Sequence, residues 1–201
     1  DTQKKRWAPW ARRAMAPLLP VVALVCSPAQ AARVALVVGN AAYADSPLRN
    51  PVNDARAMRA KLAGLGFDVT AVENLKRSDI GRTINGFASR IRPGDEVVVF
   101  YAGHGLQVKG VNYLPAVDAA IQTEEDVPLN SLNLNTLLDR LDEAKAGVKL
   151  LFLDACRNNP YARSFRSTAR GLARVQDAPS GTLMHFATRP GSVAADGTGA
   201  N

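Results

Sequence analysis

The chain has 201 residues and a formal net charge of +7, long enough for one domain with a real core. Residues 1–31 hold five bases against one acid, so the remainder carries an excess of only three positive charges. That near balance, with no basic stripe interleaved with aromatics, argues against nucleic acid as a partner.

Lys4, Lys5, Arg6, Arg12 and Arg13 form a basic start, followed by the apolar run Ala14–Cys26. The run is short for a bilayer span and ends in the small residues Ala29-Gln30-Ala31, which reads as a signal peptide over 1–31, cleaved before Ala32. The expectation is an exported protein, periplasmic or secreted, with membrane contact only if this segment stays uncleaved. Arg12-Arg13 lacks the surroundings of a twin-arginine signal, and bulky Val25 weakens Cys26 as a lipid-attachment site.

Val34–Val38 is a buried-strand run closed by Gly39-Asn40. A dinucleotide fingerprint fails there, because GNAAYA has no second or third glycine. Asn53 is the expected N-cap of a helix burying Ala55, Met58, Leu62 and Leu65, stopped by Gly64 or Gly66. Phe67–Val72 reads as a second strand. Ser78 then caps a helix in which Ile80, Ile84, Phe87 and Ile91 recur at helical spacing. Pro93-Gly94-Asp95 is a turn, and Val97–Phe100 a strand buried on both faces that ends in Ala-Gly-His104-Gly105. Gln107–Pro115 reads as a hairpin turning at Lys109-Gly110. The acidic stretch 119–129 reads as a solvated loop, since the consecutive Glu124, Glu125 and Asp126 do not alternate as calcium ligands do. Asn133–Leu141 is a helix burying Leu134, Leu137, Leu138 and Leu141. Val148–Leu153 is another buried strand, ending in Asp154-Ala155-Cys156-Arg157. Residues 158–180, with Arg163, Arg166, Arg170 and Arg174, read as a long exposed loop open to nicking. Thr182–Thr188 is a last strand, in which His185 reads as a structural histidine; Tyr101 and Tyr113 read as packing or rim residues. Strands alternating with helices predict an α/β sandwich around a mostly parallel sheet.

The chemistry concentrates at two strand ends. In α/β sheets, ligands bind beyond the carboxyl ends of strands. Once Cys26 is removed, Cys156 has no cysteine to pair with and is either a nucleophile or a small buried hydrophobe. A thiol near its ordinary pKa of about 8.5 is mostly protonated at neutral pH. A neighbouring imidazole takes that proton and later gives it to the leaving amine. Neighbouring strands lie about 4.8 Å apart, so His104 and Cys156 meet if their strands are adjacent. The N–H groups of Gly105 and Cys156 are then candidates for an oxyanion hole. No metal or cofactor is expected.

YAGHG (Tyr101–Gly105) after one apolar strand and DACRNN (Asp154–Asn159) after another resemble the caspase-like cysteine peptidases: caspases, metacaspases and paracaspases. The resemblance runs from about Arg33 to Asp196 and includes VALVVGNAAY, NDAR, VNYLPAVDA and SGTLMHFATRPGSVAADG. It implies a three-layer sandwich and a dyad of His104 as general base and acid with Cys156 as nucleophile. It implies a catalytic domain over 32–201, cut short before the small-subunit helices and last strand, so the oligomeric state is open. Aspartate at 154, where caspases carry glutamine, implies cleavage after arginine or lysine, as in metacaspases and paracaspases; a carboxylate pairs with a P1 cation and disfavours a P1 acid. Asp54 and Asp196 align with further acidic pocket residues, though they read equally as a first-turn helix acid and a loop acid. Arg157-Asn158-Asn159 departs from the metacaspase His-Ser-Gly and leans toward the paracaspase side. The basic loop at 163–174 matches the position where such proteins are processed, so self-cleavage there is expected. The leading reading is a thiol endopeptidase acting on proteins or peptides with a basic P1 residue. The alternative is a catalytically silent caspase-like scaffold.

Overall fold

Runs of β-branched and aromatic residues form one five-stranded parallel sheet. The computed structural model describes residues 31–156, 161, 172–173, 175 and 177–187. Residues 1–30 of the expected leader, the arginines at 163, 166, 170 and 174, Asp196 and the side chain of Cys156 lie outside the described residues. The sheet comprises β1 (Arg33–Gly39), β2 (Asp68–Glu73), β3 (Glu96–His104), β7 (Val148–Cys156) and β8 (Thr182–Phe186), in the spatial order β2-β1-β3-β7-β8. The strands between β3 and β7 form a separate antiparallel sheet: β4 (Leu106–Val108), β5 (Val111–Pro115) and β6 (Ser131–Asn133), in the order β4-β5-β6. Lys109 and Gly110, both at positive φ, make the two-residue turn of its hairpin.

Helices cover both faces of the main sheet. Helix α1 (Pro51–Gly64) packs Ala55 and Leu62 on Ala35, Val37, Val98, Phe100 and Ala102. On the opposite face, α2 (Ile80–Ala88) and α4 (Leu134–Glu143) bury Ile84, Phe87 and four leucines against Val34, Leu36, Val97, Val99, Leu151 and Leu153. About two turns of α4 are thus apolar on their inner side, and burial of each leucine contributes roughly 1.5–3 kcal/mol. The expected three-layer, mostly parallel architecture is the one observed.

Several local expectations are corrected. Helix α1 begins at Pro51 with Asn50 as N-cap, ahead of Asn53; a proline at the first position has its φ preset and lacks only an N–H that would have no intrahelical partner. Leu65, at the C-cap, is 53% exposed. Ser78 caps nothing, because a 3-10 turn over Arg77–Asp79 precedes α2. The acidic stretch is not irregular throughout: Thr123 and Asp126 form a reciprocal capping box ahead of α3 (Val127–Asn130). His185 is exposed at the sheet edge, its ring tilted over Phe152 at 6.1 Å. The segment 158–180 is not exposed throughout: Leu172 is 2% exposed and Val175 packs on the core.

Candidate active site

Strands β3 and β7 are adjacent and parallel, and their register ends with His104 opposite Cys156. The two strand ends singled out by composition are therefore backbone neighbours, about one strand spacing of 4.8 Å apart. Two register steps back, Ala102 lies opposite Asp154.

His104 is 1% exposed. Its Nε2 lies 2.8 Å from the backbone carbonyl oxygen of Ser46. A carbonyl can only accept, so Nε2 carries the proton and donates. In the neutral ring the lone pair then resides on Nδ1. The Tyr43 ring lies against the imidazole, centroids 4.4 Å apart and tilted by 51°. The backbone of His104 is held by two phenols: its N–H donates to Tyr43 Oη at 3.0 Å, and its carbonyl accepts from Tyr101 Oη at 2.7 Å. The two phenol oxygens are themselves 3.1 Å apart. Burial pushes the Tyr43 hydroxyl up to about 12 and the Tyr101 hydroxyl well above the ordinary phenol range. Both stay neutral at physiological pH. The reading of Tyr101 as a packing or rim residue is thus incomplete, and Tyr43 carried no signal beyond its place just after a strand.

The loop bearing Tyr43 and Ser46 is fixed by asparagines. Asn40 is fully buried; its side chain accepts from the Leu75 N–H at 2.8 Å and donates to the Pro115 carbonyl at 3.1 Å. Asn74, at φ +56°, accepts from the N–H groups of both Ala41 and Ala42 at 2.9 Å. Asn40 directly follows Gly39, the one glycine of the failed dinucleotide fingerprint. In the structure it ties three segments together at the carboxyl end of the sheet.

Asp154 and Asp54 are both half-buried. In β7, Leu151, Leu153 and Ala155 belong to the α2/α4 side, whereas Leu150 and Phe152 pack with α1. Strand alternation puts Asp154 on the α1 face. Asp54 stands in the first turn of α1, next to Ala55, which shares an apolar cluster with Ala102. The two carboxylates therefore belong to one face of the sheet. Asp196 falls outside the described residues.

Gly105 sits where a Cβ would lie 2.8 Å from Ala155 Cβ and 3.0 Å from Leu172 Cδ2. The chain beyond β7 thus returns to this edge. Asn112, 1% exposed, grips it there: its amide donates to the Ala173 carbonyl at 2.8 Å and its oxygen accepts from the Ala173 N–H at 2.6 Å.

The model of the caspase domain family matches residues 32–201. The chain belongs to the caspase domain family. Mucosa-associated lymphoid tissue lymphoma translocation protein 1 of Homo sapiens is 26% identical over 164 residues, 76% of this chain and 20% of that protein. Caspase-1 of Sus scrofa is 29% identical over 131 residues, 62% of this chain and 31% of that protein. The chain thus spans about a fifth to a third of these curated relatives. The Drosophila initiator caspase Dronc shares the fold, with a TM-score of 0.54 at 16% identity over 78% of this chain and 55% of that one.

Proposed function

We propose that this caspase domain is a cysteine endopeptidase that cuts protein chains after arginine or lysine. The observation that carries the reading is the register pairing of His104 with Cys156, joined to the Ser46 carbonyl that occupies Nε2 and makes Nδ1 the basic nitrogen. In this reading the Cys156 thiol gives its proton to Nδ1. The thiolate then attacks the scissile carbonyl carbon, and the C–N bond breaks as the imidazolium protonates the leaving amine. Water attacks the resulting thioester with His104 again as base, releasing the new carboxylate and the thiol. The N–H groups of Gly105 and Cys156 are assigned to the oxyanion, where loss of one donor costs roughly 2.7–4 kcal/mol. Asp154 is assigned to the P1 cation, with Asp54 on the same face and Asp196 as a further carboxylate.

Processing within the basic loop at 163–174 of the same chain is part of the proposal. Export followed by cleavage before Ala32 is part of the same proposal. N-terminal sequencing of the secreted protein checks that point.

The test is a fluorogenic peptide series scanned at P1 with the wild type, Cys156→Ala and Asp154→Asn. The wild type is expected to prefer Arg and Lys, Cys156→Ala to be silent, and Asp154→Asn to lose roughly a hundredfold on basic P1 residues. Equal turnover by Cys156→Ala rejects the peptidase and leaves the silent scaffold. A wild-type preference for acidic P1 residues rejects the assignment of Asp154.

A further inference from the structure

In a parallel sheet, the N–H and C=O of one residue point to the same neighbouring strand. Even-numbered residues of β3 point toward β1, as the bond from the Asn40 N–H to the Ala102 carbonyl shows at 2.9 Å. The pairing of β1 with β3 ends at Gly39 opposite Ala102. His104, two residues on, therefore turns its own N–H and C=O toward a side where the neighbouring strand has stopped. It is buried at 1% exposure, and two orphaned backbone groups there would be costly. The two phenols take both groups.

The direction of each bond follows from proton counting. Tyr101 spends its single proton on the His104 carbonyl, so it can only accept from Tyr43. Tyr43 accepts from the His104 N–H and donates to Tyr101. Three hydrogen bonds close a ring that begins and ends on the peptide groups of His104. Gly103 makes room for it: a Cβ there would lie 2.7 Å from Tyr101 Oη and 2.8 Å from Tyr43 Oη. Tyr43 also lays its ring on the imidazole, and its own loop supplies the Ser46 carbonyl.

We propose that Tyr43 and Tyr101 are positioning residues, whose hydroxyl ring replaces the missing strand and holds the His104 imidazole on the Ser46 carbonyl so that its lone pair stays on Nδ1. The proposal rests on the reading of His104 as the base. The raised phenol ionisation described above keeps both hydroxyls protonated, as the ring requires.

Tyr43→Phe keeps the aromatic ring and removes the oxygen that accepts from the His104 N–H. Its kcat on an arginyl peptide is expected to fall about tenfold with KM within about twofold, the size expected for leaving a buried donor unpaired. The second readout needs no turnover. The sequence has only two histidines, so nitrogen-15 spectra of labelled protein resolve the tautomer of each. His104 is expected as the Nε2–H form in the wild type and as a mixture in Tyr43→Phe. Tyr101→Phe, which leaves the His104 N–H bond in place, is expected to change both readouts in the same direction and by less. It carries the test if Tyr43→Phe does not fold. A folded variant with wild-type kcat and an unchanged Nε2–H signal overturns the proposal. Undiminished turnover by Cys156→Ala would instead defeat the peptidase reading, and the tautomer spectra would still decide the positioning role.

Discussion

Tyr43 gives the molecule an alkaline limit. Its hydroxyl ionises at about 12 in the fold against an ordinary value of 10.0, because burial penalises the phenolate; the shift of Tyr101 has the same direction and first cause. Below pH 10 the folded and unfolded chains bind the same phenolic protons. Between pH 10 and about 12 the unfolded chain releases them and the folded chain does not, so stability is lost as pH rises through that window. Urea midpoints should therefore fall from pH 10 to 12, and the fall should be shallower in Tyr43→Phe than in the wild type. A parallel decline in the two proteins would show that the Tyr43 phenol does not set this limit. Among single residues, His104 and Cys156 stood out in the sequence because each lies a few residues beyond an apolar run. Tyr43 did not, since one tyrosine in a polar loop has no period to mark it, and its role depends on where β1 stops relative to β3.

At the scale of elements, the strands and main helices follow from patterning. Val97–Phe100 and Leu150–Leu153 are uninterrupted apolar runs because both faces are covered, and the four leucines of α4 recur on one side. Helix starts were misread where proline preset the first turn or a 3-10 turn came first, at Pro51 and Ser78. The strap at 172–175 escaped detection because two apolar residues among small and basic ones give no period. Its anchorage is three-fold: Leu172 against Gly105 and Ala155, Ala173 in the grip of Asn112, and Val175 on the core. A protease must draw several residues on each side of a cut bond into its own cleft. Arg174 lies between two anchored residues, and Arg163, Arg166 and Arg170 precede them all. Brief trypsin treatment of Cys156→Ala protein should cut after the first three arginines and spare Arg174. Asn112→Ala should expose Arg174 as well, read by mass spectrometry of the fragments. Cleavage after Arg174 as fast as after the others while Asn112 is intact would refute the anchorage.

For the whole molecule, the sheet is shared between segments on either side of that strap. β8 pairs in register with Lys149 to Leu153 of β7, so the last strand completes a sheet begun by residues far earlier in the chain. Cutting between Cys156 and Leu172 leaves this pairing and the strap contacts untouched. The two pieces should therefore elute together in native size-exclusion chromatography and separate only in denaturant. Elution as two species in native buffer would mean that β8 contributes little to the assembled sheet. The layered architecture was readable in advance because helical periods separate β1 from β2, β2 from β3 and the hairpin from β7. The small antiparallel sheet was only half readable: its hairpin announces itself at Lys109-Gly110, whereas β6 is three residues long and merges into the N-terminus of α4.

The crossover between β3 and β7 has one more consequence. The imidazole and the sulfur belong to stretches that become neighbours only after the hairpin, the short helices and α4 have all been made and folded back. A nascent chain paused before β7 carries the imidazole with no thiol beside it, and an unravelled chain carries both at random separation. Loss of tertiary structure and loss of any joint chemistry at the pair are therefore a single event.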